Sequence, residues 1–204
     1  MPQPDQPRRN QQQRADTTRT ALTRAARKLF AERGYAAVPA DEIVAAAGLT
    51  RGALYHHYGG KQELFLAVFE DLETEFAAEV AASVIDSPDL PTTMIRALSR
   101  FLDICERPEV VRIALTDAPA VLGWPAWREV EARHGLGLIV RLLQTAADDG
   151  LLAPASVPVL AQLILSAMIE AALVIAHATD RDAARAETEQ ALLTLLSGVL
   201  QSPT

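Results

Sequence analysis

The sequence predicts an all-α protein, and three observations predict it. The 204 residues include 37 Ala and 27 Leu, which favour helix. Only ten Gly and 5% aromatics accompany them, too few for the turns and β-branched or aromatic runs of a sandwich or barrel. Apolar residues recur at spacings of three and four through most of the chain. Half of the residues are hydrophobic, so one large or two small cores can be buried.

The elements follow in order. Residues 1–15 are rich in Gln, Pro and Arg and are expected to form a disordered arm. From Thr17 the stripe Leu22, Ala25, Ala26, Leu29 and Phe30 predicts a helix that Gly34 ends. A short helix over 41–47 turns Ile43, Val44 and Ala47 inward, and Gly48 stops it. Thr50 can cap a third helix over 51–58, closed by Gly59 and Gly60. A long helix runs from Lys61 to about Val84 with Leu64, Phe65, Val68, Leu72 and Phe76 on one face. Ser87-Pro88 and Leu90-Pro91 break the chain. The next helix covers 92–106, with Ile95, Leu98, Phe101, Leu102 and Cys105 inward. Pro108 opens another to Asp117, and 118–125 reads as a connection. Helices over 126–147, 157–178 and 181–200 complete the chain. No period of 20–50 residues marks a solenoid.

Charge divides the chain. Residues 1–61 carry a net of +5 and residues 62–204 a net of −12. A basic third on an acidic body suits a polyanion-binding head, although a basic tail can also act only as a solubilising arm. The single cysteine, Cys105, excludes an intrachain disulfide and a Cys-rich zinc site, and it fits the inward stripe of its helix. The first residues lack the apolar core of a signal peptide. The longest apolar stretch, 157–178, contains Gln162, Ser166, Glu170 and His177, and reads as a buried or interface helix, not a membrane span.

Two short helices joined by Gly48-Leu49-Thr50 have the dimensions of a helix-turn-helix over about 39–58. The turn glycine can take a left-handed conformation. The second helix is expected to present Arg51, Gly52, Ala53, Tyr55 and His56 outward and to bury Leu54 and Tyr58. Gly52 and Ala53 are small enough to let the helix N-terminus approach a groove. Thr50, Tyr55, His56, His57 and Lys61 can all donate hydrogen bonds to phosphate. Lys61 also opens a helix, where free N–H groups attract anions. His56 and His57 are neighbours and do not share a helix face, so no metal site is expected there.

The segment Ala21-Leu22-Thr23-Arg24-Ala25-Ala26-Arg27-Lys28-Leu29-Phe30-Ala31-Glu32-Arg33-Gly34-Tyr35 resembles the first helix of TetR-type transcriptional regulators. Residues Asp41 to Tyr58, reading DEIVAAAGLTRGALYHHY, resemble that family's helix-turn-helix, and Gly59-Gly60-Lys61-Gln62-Glu63-Leu64 completes the likeness. The resemblance implies a homodimer that binds a pseudo-palindromic double-stranded operator and is released by a small-molecule effector. By position it implies Arg51 and Tyr55 as base readers, and Thr50, Tyr55, His56, His57 and Lys61 at phosphate-contacting positions. The sequence departs from the family at Pro39 and Ala40, where Ser or Thr commonly caps the second helix and touches phosphate. Pro39 can begin a helix but has no side-chain donor. Asp41 near this face either tunes specificity or favours the helix N-terminus.

The expected organisation is an arm over 1–15, a DNA-binding domain over 16–76 and a ligand-binding and dimerisation domain over 77–204. Polar and aromatic residues in the apolar body mark an expected effector site: Phe69, Phe101, Asp117, Trp124, Trp127, His134, Glu170 and His177. Trp124 and Trp127 either line a pocket or simply pack. Glu170 and His177 are seven apart and share a helix face; a buried Glu170 would need an effector group, Arg141 or another internal partner, or a dimer mate. The apolar faces bearing Leu163, Ala167, Leu192 and Leu196 are candidates for dimerisation. The expected activity is a cytoplasmic, effector-released repressor. The alternatives are an activator of the same type, or an enzyme using Glu170 with His177 or His134. No P-loop, GxGxxG or nucleophile elbow is present, so no cofactor and no catalytic residue is assigned.

Overall fold

A computed structural model describes residues 6–152 and 155–199. Among the described residues ten α-helices succeed one another: α1 Gln6–Arg33, α2 Ala40–Ala46, α3 Arg51–Tyr58, α4 Lys61–Ser83, α5 Leu90–Cys105, α6 Pro108–Val110, α7 Ala118–Leu122, α8 Trp124–Asp148, α9 Val157–His177 and α10 Arg181–Val199. A π-helical turn, Val111–Asp117, lies between α6 and α7.

The head is built by α1–α3 on the first half of α4. Leu22, Ala26 and Phe30 from α1 meet Ile43 and Val44 from α2, Leu54 and Tyr58 from α3, and Leu64 and Phe65 from α4, all buried. Phe65 stands edge-on to both Phe30 and Tyr35, at centroid distances of 5.3 and 5.1 Å. Tilted and edge-on aromatic pairs add to simple area burial. The chain continues without a break through α4 into the body, where α4 and α5 pack with α8, α9 and α10. A smaller cluster of Leu143, Ala146, Leu152 and Ala161 closes the far end.

Three elements differ from the sequence expectation. The expected disordered arm is helical from Gln6 onward, and residues 1–5 lie outside the described residues. Gln and Arg are good helix formers, and a helix nucleated by the packed Leu22–Phe30 turn extends backwards at little cost. The 118–125 connection contains α7, because Pro119 falls in its first turn, where a missing N–H breaks no bond. Gly123 then ends it at φ 79°. Ile95 is half exposed, since Met94, Ala97, Leu98 and Phe101 occupy the inward face of α5. Residue 200, the expected end of the last helix, lies outside the described residues.

One helix, α9, is long and apolar enough to cross a membrane by length and composition. It packs in the bundle through Ala161, Leu165, Ile169, Ala172 and Ile175.

Candidate functional site

The helix-turn-helix is fixed by its turn. Gly48 sits at φ +67°, with Leu49 N–H bonding back to Val44 O at 2.8 Å. Thr50 caps α3 by accepting from Ala53 N–H at 3.4 Å, and Gly59 at φ +72° ends it. Leu54 and Tyr58 anchor α3 in the head core. Arg19 reinforces that anchor: its guanidinium lies 4.7 Å from the Tyr58 ring centroid and donates to His57 O at 3.3 Å.

The opposite face of α3 is open. Thr50, Arg51, Gly52, Tyr55 and His56 are exposed, with Ala53 and His57 half-buried. Arg51 Nη1 lies 3.3 Å from Asp41 Oδ2 and Nη2 donates to Tyr55 Oη at 3.4 Å. Asp41 and Tyr55 thus hold the Arg51 fork beside the helix N-terminus. A Cβ at Gly52 would meet only Thr50 Oγ1 at 3.8 Å, so nothing inside the fold requires a glycine there. Pro39 precedes α2 with no side-chain cap bond.

Lys61 stands apart from that set. Its Nζ donates to Tyr35 O at 2.7 Å and sits 3.8 Å above the Tyr35 ring. Burial lowers its pKa, opposed by the Asp117 charge. The expected phosphate donor is therefore engaged at the joint between head and body, by a backbone carbonyl and an aromatic face.

Asp117 also belongs to this joint and not to a body cavity. Its carboxylate accepts from Tyr35 N–H at 2.7 Å. The neighbouring Gly34, at φ +80°, would place a Cβ 3.3 Å from Asp117 Oδ2, so both backbone conformation and close approach favour glycine. Arg27 extends the joint, binding Glu109 at 2.7 Å and Glu75 at 2.8 Å. The π-helical turn sets Asp117 at this point; its Thr116 Oγ1 bonds back five residues to Val111 O at 2.7 Å.

The body holds a partly open cavity of about 100 Å³ between α4, α5, α8, α9 and α10. Of the residues expected at an effector site, Phe101 and His134 line it. The other expected residues lie elsewhere. Phe69 is wholly buried in the core. Trp127 is wholly buried and Trp124 is 60% exposed, their rings in an edge-on pair at 4.9 Å. Glu170 and His177 are exposed, because the stripe from Ala161 to Ile175 takes the inner face of α9; His177 Nδ1 lies 2.7 Å from Leu173 O. Of the candidate dimer residues, Leu163 is 61% exposed and Ala167 half-buried, whereas Leu192 is buried and Leu196 turns into the cavity.

Sequence reasoning missed Glu73 and Glu131, which line the cavity and are only 5% and 7% exposed. Their spacing carried the signal: Glu73 follows Phe69 by four on the apolar face of α4, and Glu131 follows Trp127 by four on α8. Burial raises the Glu131 pKa to about 7 against the pull of Arg128 and of the nearby Trp127 indole. Burial, with Glu131 adding to it, raises Glu73 well above the carboxylate range. His134 Nε2 is buried and unpartnered beside them.

Known proteins share both halves. The family model described as "Bacterial regulatory proteins, tetR family" matches residues 22–68. The model described as "Tetracyclin repressor-like, C-terminal domain" matches residues 91–199. The crystal structure of a TetR-family transcriptional regulator from Pectobacterium atrosepticum is 37% identical, with a TM-score of 0.83 over 94% of this chain and 98% of that one. The HTH-type transcriptional repressor AcnR of Corynebacterium efficiens is 39% identical over 57% of each chain. The Transposon Tn10 TetC protein of Escherichia coli is 26% identical over 64% of this chain and 66% of its own. The chain spans between about half and two thirds of the length of the curated relatives it matches first.

Proposed function

Because the chain belongs to the tetR family of bacterial regulatory proteins, we propose that it is a cytoplasmic, DNA-binding transcriptional regulator, a repressor released from its operator by a small organic effector. The observation that carries this reading is the open face of α3, with Arg51 held by Asp41 and Tyr55 on a helix whose opposite side is locked into the core. An arginine fork matches the O6 and N7 acceptors of guanine in the major groove. Thr50, Tyr55, His56 and His57 surround it with donors for phosphate. The relative AcnR, named a repressor, favours the sign of regulation.

The DNA head spans about 16–76 and the effector and dimer body 77–204, with α4 shared between them. The body forms a homodimer through α9 and α10. Val159, Leu163, Val174 and Leu195 are all about half exposed or more on these helices, an apolar face that a second copy would cover. A two-fold dimer presents two α3 helices, which a pseudo-palindromic operator accepts at roughly 34–36 Å or a multiple. The effector occupies the body cavity, and the Asp117–Tyr35–Lys61 joint carries its influence to the head. An effector can shift the head only by its differential affinity for the two arrangements.

Fluorescence anisotropy with duplex DNA from upstream of the protein's own gene, against scrambled duplex of equal length, tests the reading. Specific binding by a species of twice the chain mass is expected. Equal affinity for both duplexes, or a monomer at working concentration, would contradict it.

A further inference from the structure

The body cavity has apolar walls from Phe76, Val80, Leu98, Phe101, Leu138 and Met168. A chamber that needed only to be filled would require nothing else. Yet Glu73 and Glu131 enter it from α4 and α8, both more than nine-tenths buried. No cation among the described residues lies within salt-bridge distance of either carboxyl. Apolar residues of similar volume usually serve a fold as well or better than buried charges.

Among the described residues the surroundings supply no ion-pair partner, although the Trp127 indole on α8 draws on Glu131. On α8, Arg128 acts on Glu131 from a distance while its guanidinium donates to Ser166 Oγ at 2.9 Å. The His134 Nε2, also on α8, is buried and unpartnered. On α5, the Cys105 thiol is fully buried, and burial together with both carboxyls pushes its pKa up. On α9 and α10, Leu165, Met168 and Leu196 face the chamber and bring no charge. Arg185 on α10 is committed to Asp103 at 2.8 Å and Glu189 at 2.7 Å.

The geometry points to a lipophilic organic cation as the ligand of this cavity, its apolar body against the aromatic and aliphatic walls and its ammonium between Glu73 and Glu131. This inference rests on reading the body as the effector domain and names the effector's chemical class. His134 Nε2, buried and unpartnered, adds a further polar atom beside the two carboxyls. An organic acid meets two buried carboxyls. A neutral apolar molecule leaves three buried polar groups as they were.

Binding of a cation stabilises the ionised Glu131 and releases its proton to solvent. A free-state pKa of about 7 means that the ionised fraction rises from about one tenth at pH 6 to about nine tenths at pH 8. Affinity for a cation whose own charge is constant therefore rises about tenfold across that interval.

Isothermal titration of the full-length dimer with cyclohexylammonium, cyclohexanol and cyclohexanecarboxylate provides the test. Cyclohexylammonium should bind at least tenfold tighter than cyclohexanol at pH 8, with the carboxylate weakest, and the advantage should shrink about tenfold at pH 6. Glu131→Gln should abolish both the preference and its pH dependence. The wild-type pH profile gives the same information without a variant. Binding of cyclohexanol or the carboxylate as tightly as the ammonium at pH 8, a preference that does not change with pH, or no binding by any of the three would overturn the inference. Operator titration separates the two readings. Release by cyclohexanol without any cation preference overturns the ligand class and keeps the effector domain. A cation bound through Glu131 that leaves operator affinity unchanged contradicts the effector role and upholds the ligand class.

Discussion

The head and the body solve the placement of polar groups in opposite ways. In the head, the interior is sealed by Leu22, Phe30, Ile43, Leu54 and Phe65, and the groups suited to DNA lie outside on α3. In the body, the groups with unusual chemistry lie inside: Glu73, Glu131 and His134 border a cavity. The contrast teaches that an exposed polar face can rest on a rigid, fully packed support. Buried polar groups around a cavity, by contrast, cost stability unless something meets them.

The largest expected effect breaks the head's side of the comparison. Phe65→Ala removes the ring that contacts both Phe30 and Tyr35. It should destabilise the protein by about 3–5 kcal/mol in chemical denaturation. A loss below about 1 kcal/mol would show that the head core is not packed as described.

The next effect sharpens the body's side. Glu131 has a folded pKa of about 7, above its ordinary unfolded value, chiefly because it is buried. The folded state therefore holds a proton that the unfolded state gives up. Stability from this group is fully present below the unfolded pKa and is lost as pH rises toward 7. Glu131→Gln should flatten that decline and stabilise the protein at pH 8 by roughly 3 kcal/mol. A wild-type stability that rises between pH 5 and 7, with no gain in the variant, would contradict the buried carboxyl.

These two sites also show what was legible in the sequence. The head was readable almost throughout, because a turn glycine, a Thr cap and an apolar stripe act within a few residues. Its exception is Lys61, whose partner Tyr35 is brought near only by the packing of α4 on α1. In the body, helix positions were legible but faces were not. Glu170 and His177 share a face of α9, but which face points inward depends on α8 and α10. Glu73 and Glu131, more than fifty residues apart, meet only through helix packing. The π-helical turn that brings Asp117 to Tyr35 has no composition signal of its own.

The joint between the two regions gives a smaller effect. Asp117→Ala leaves the Tyr35 N–H without its acceptor and should cost about 1–3 kcal/mol. Hydrogen exchange at the Tyr35 amide should quicken while α3 amides keep their protection. Unchanged exchange at Tyr35 would remove Asp117 from the joint.

Smallest is the cap of α3. Its bond is long, 3.4 Å, so Thr50→Ala should cost about 0.5–1 kcal/mol, at the lower end for N-caps. Thermal unfolding measures it, and a loss above about 2 kcal/mol would mean that Thr50 supports more than the helix end.

The central claim is that the open face of α3 reads base sequence, and Arg51→Ala tests it most directly. Arg51 is exposed and, among the described residues, its side chain bonds only to Asp41 and Tyr55, so folding should be unaffected. Anisotropy titrations of wild type and variant against operator and scrambled duplex, at one salt concentration, give the ratio of specific to non-specific affinity. The account predicts that the ratio falls by about 1–3 kcal/mol, roughly 5- to 150-fold, while non-specific affinity changes little. Equal losses on both duplexes would make Arg51 a backbone contact, and an unchanged ratio would show that α3 does not read sequence through this residue.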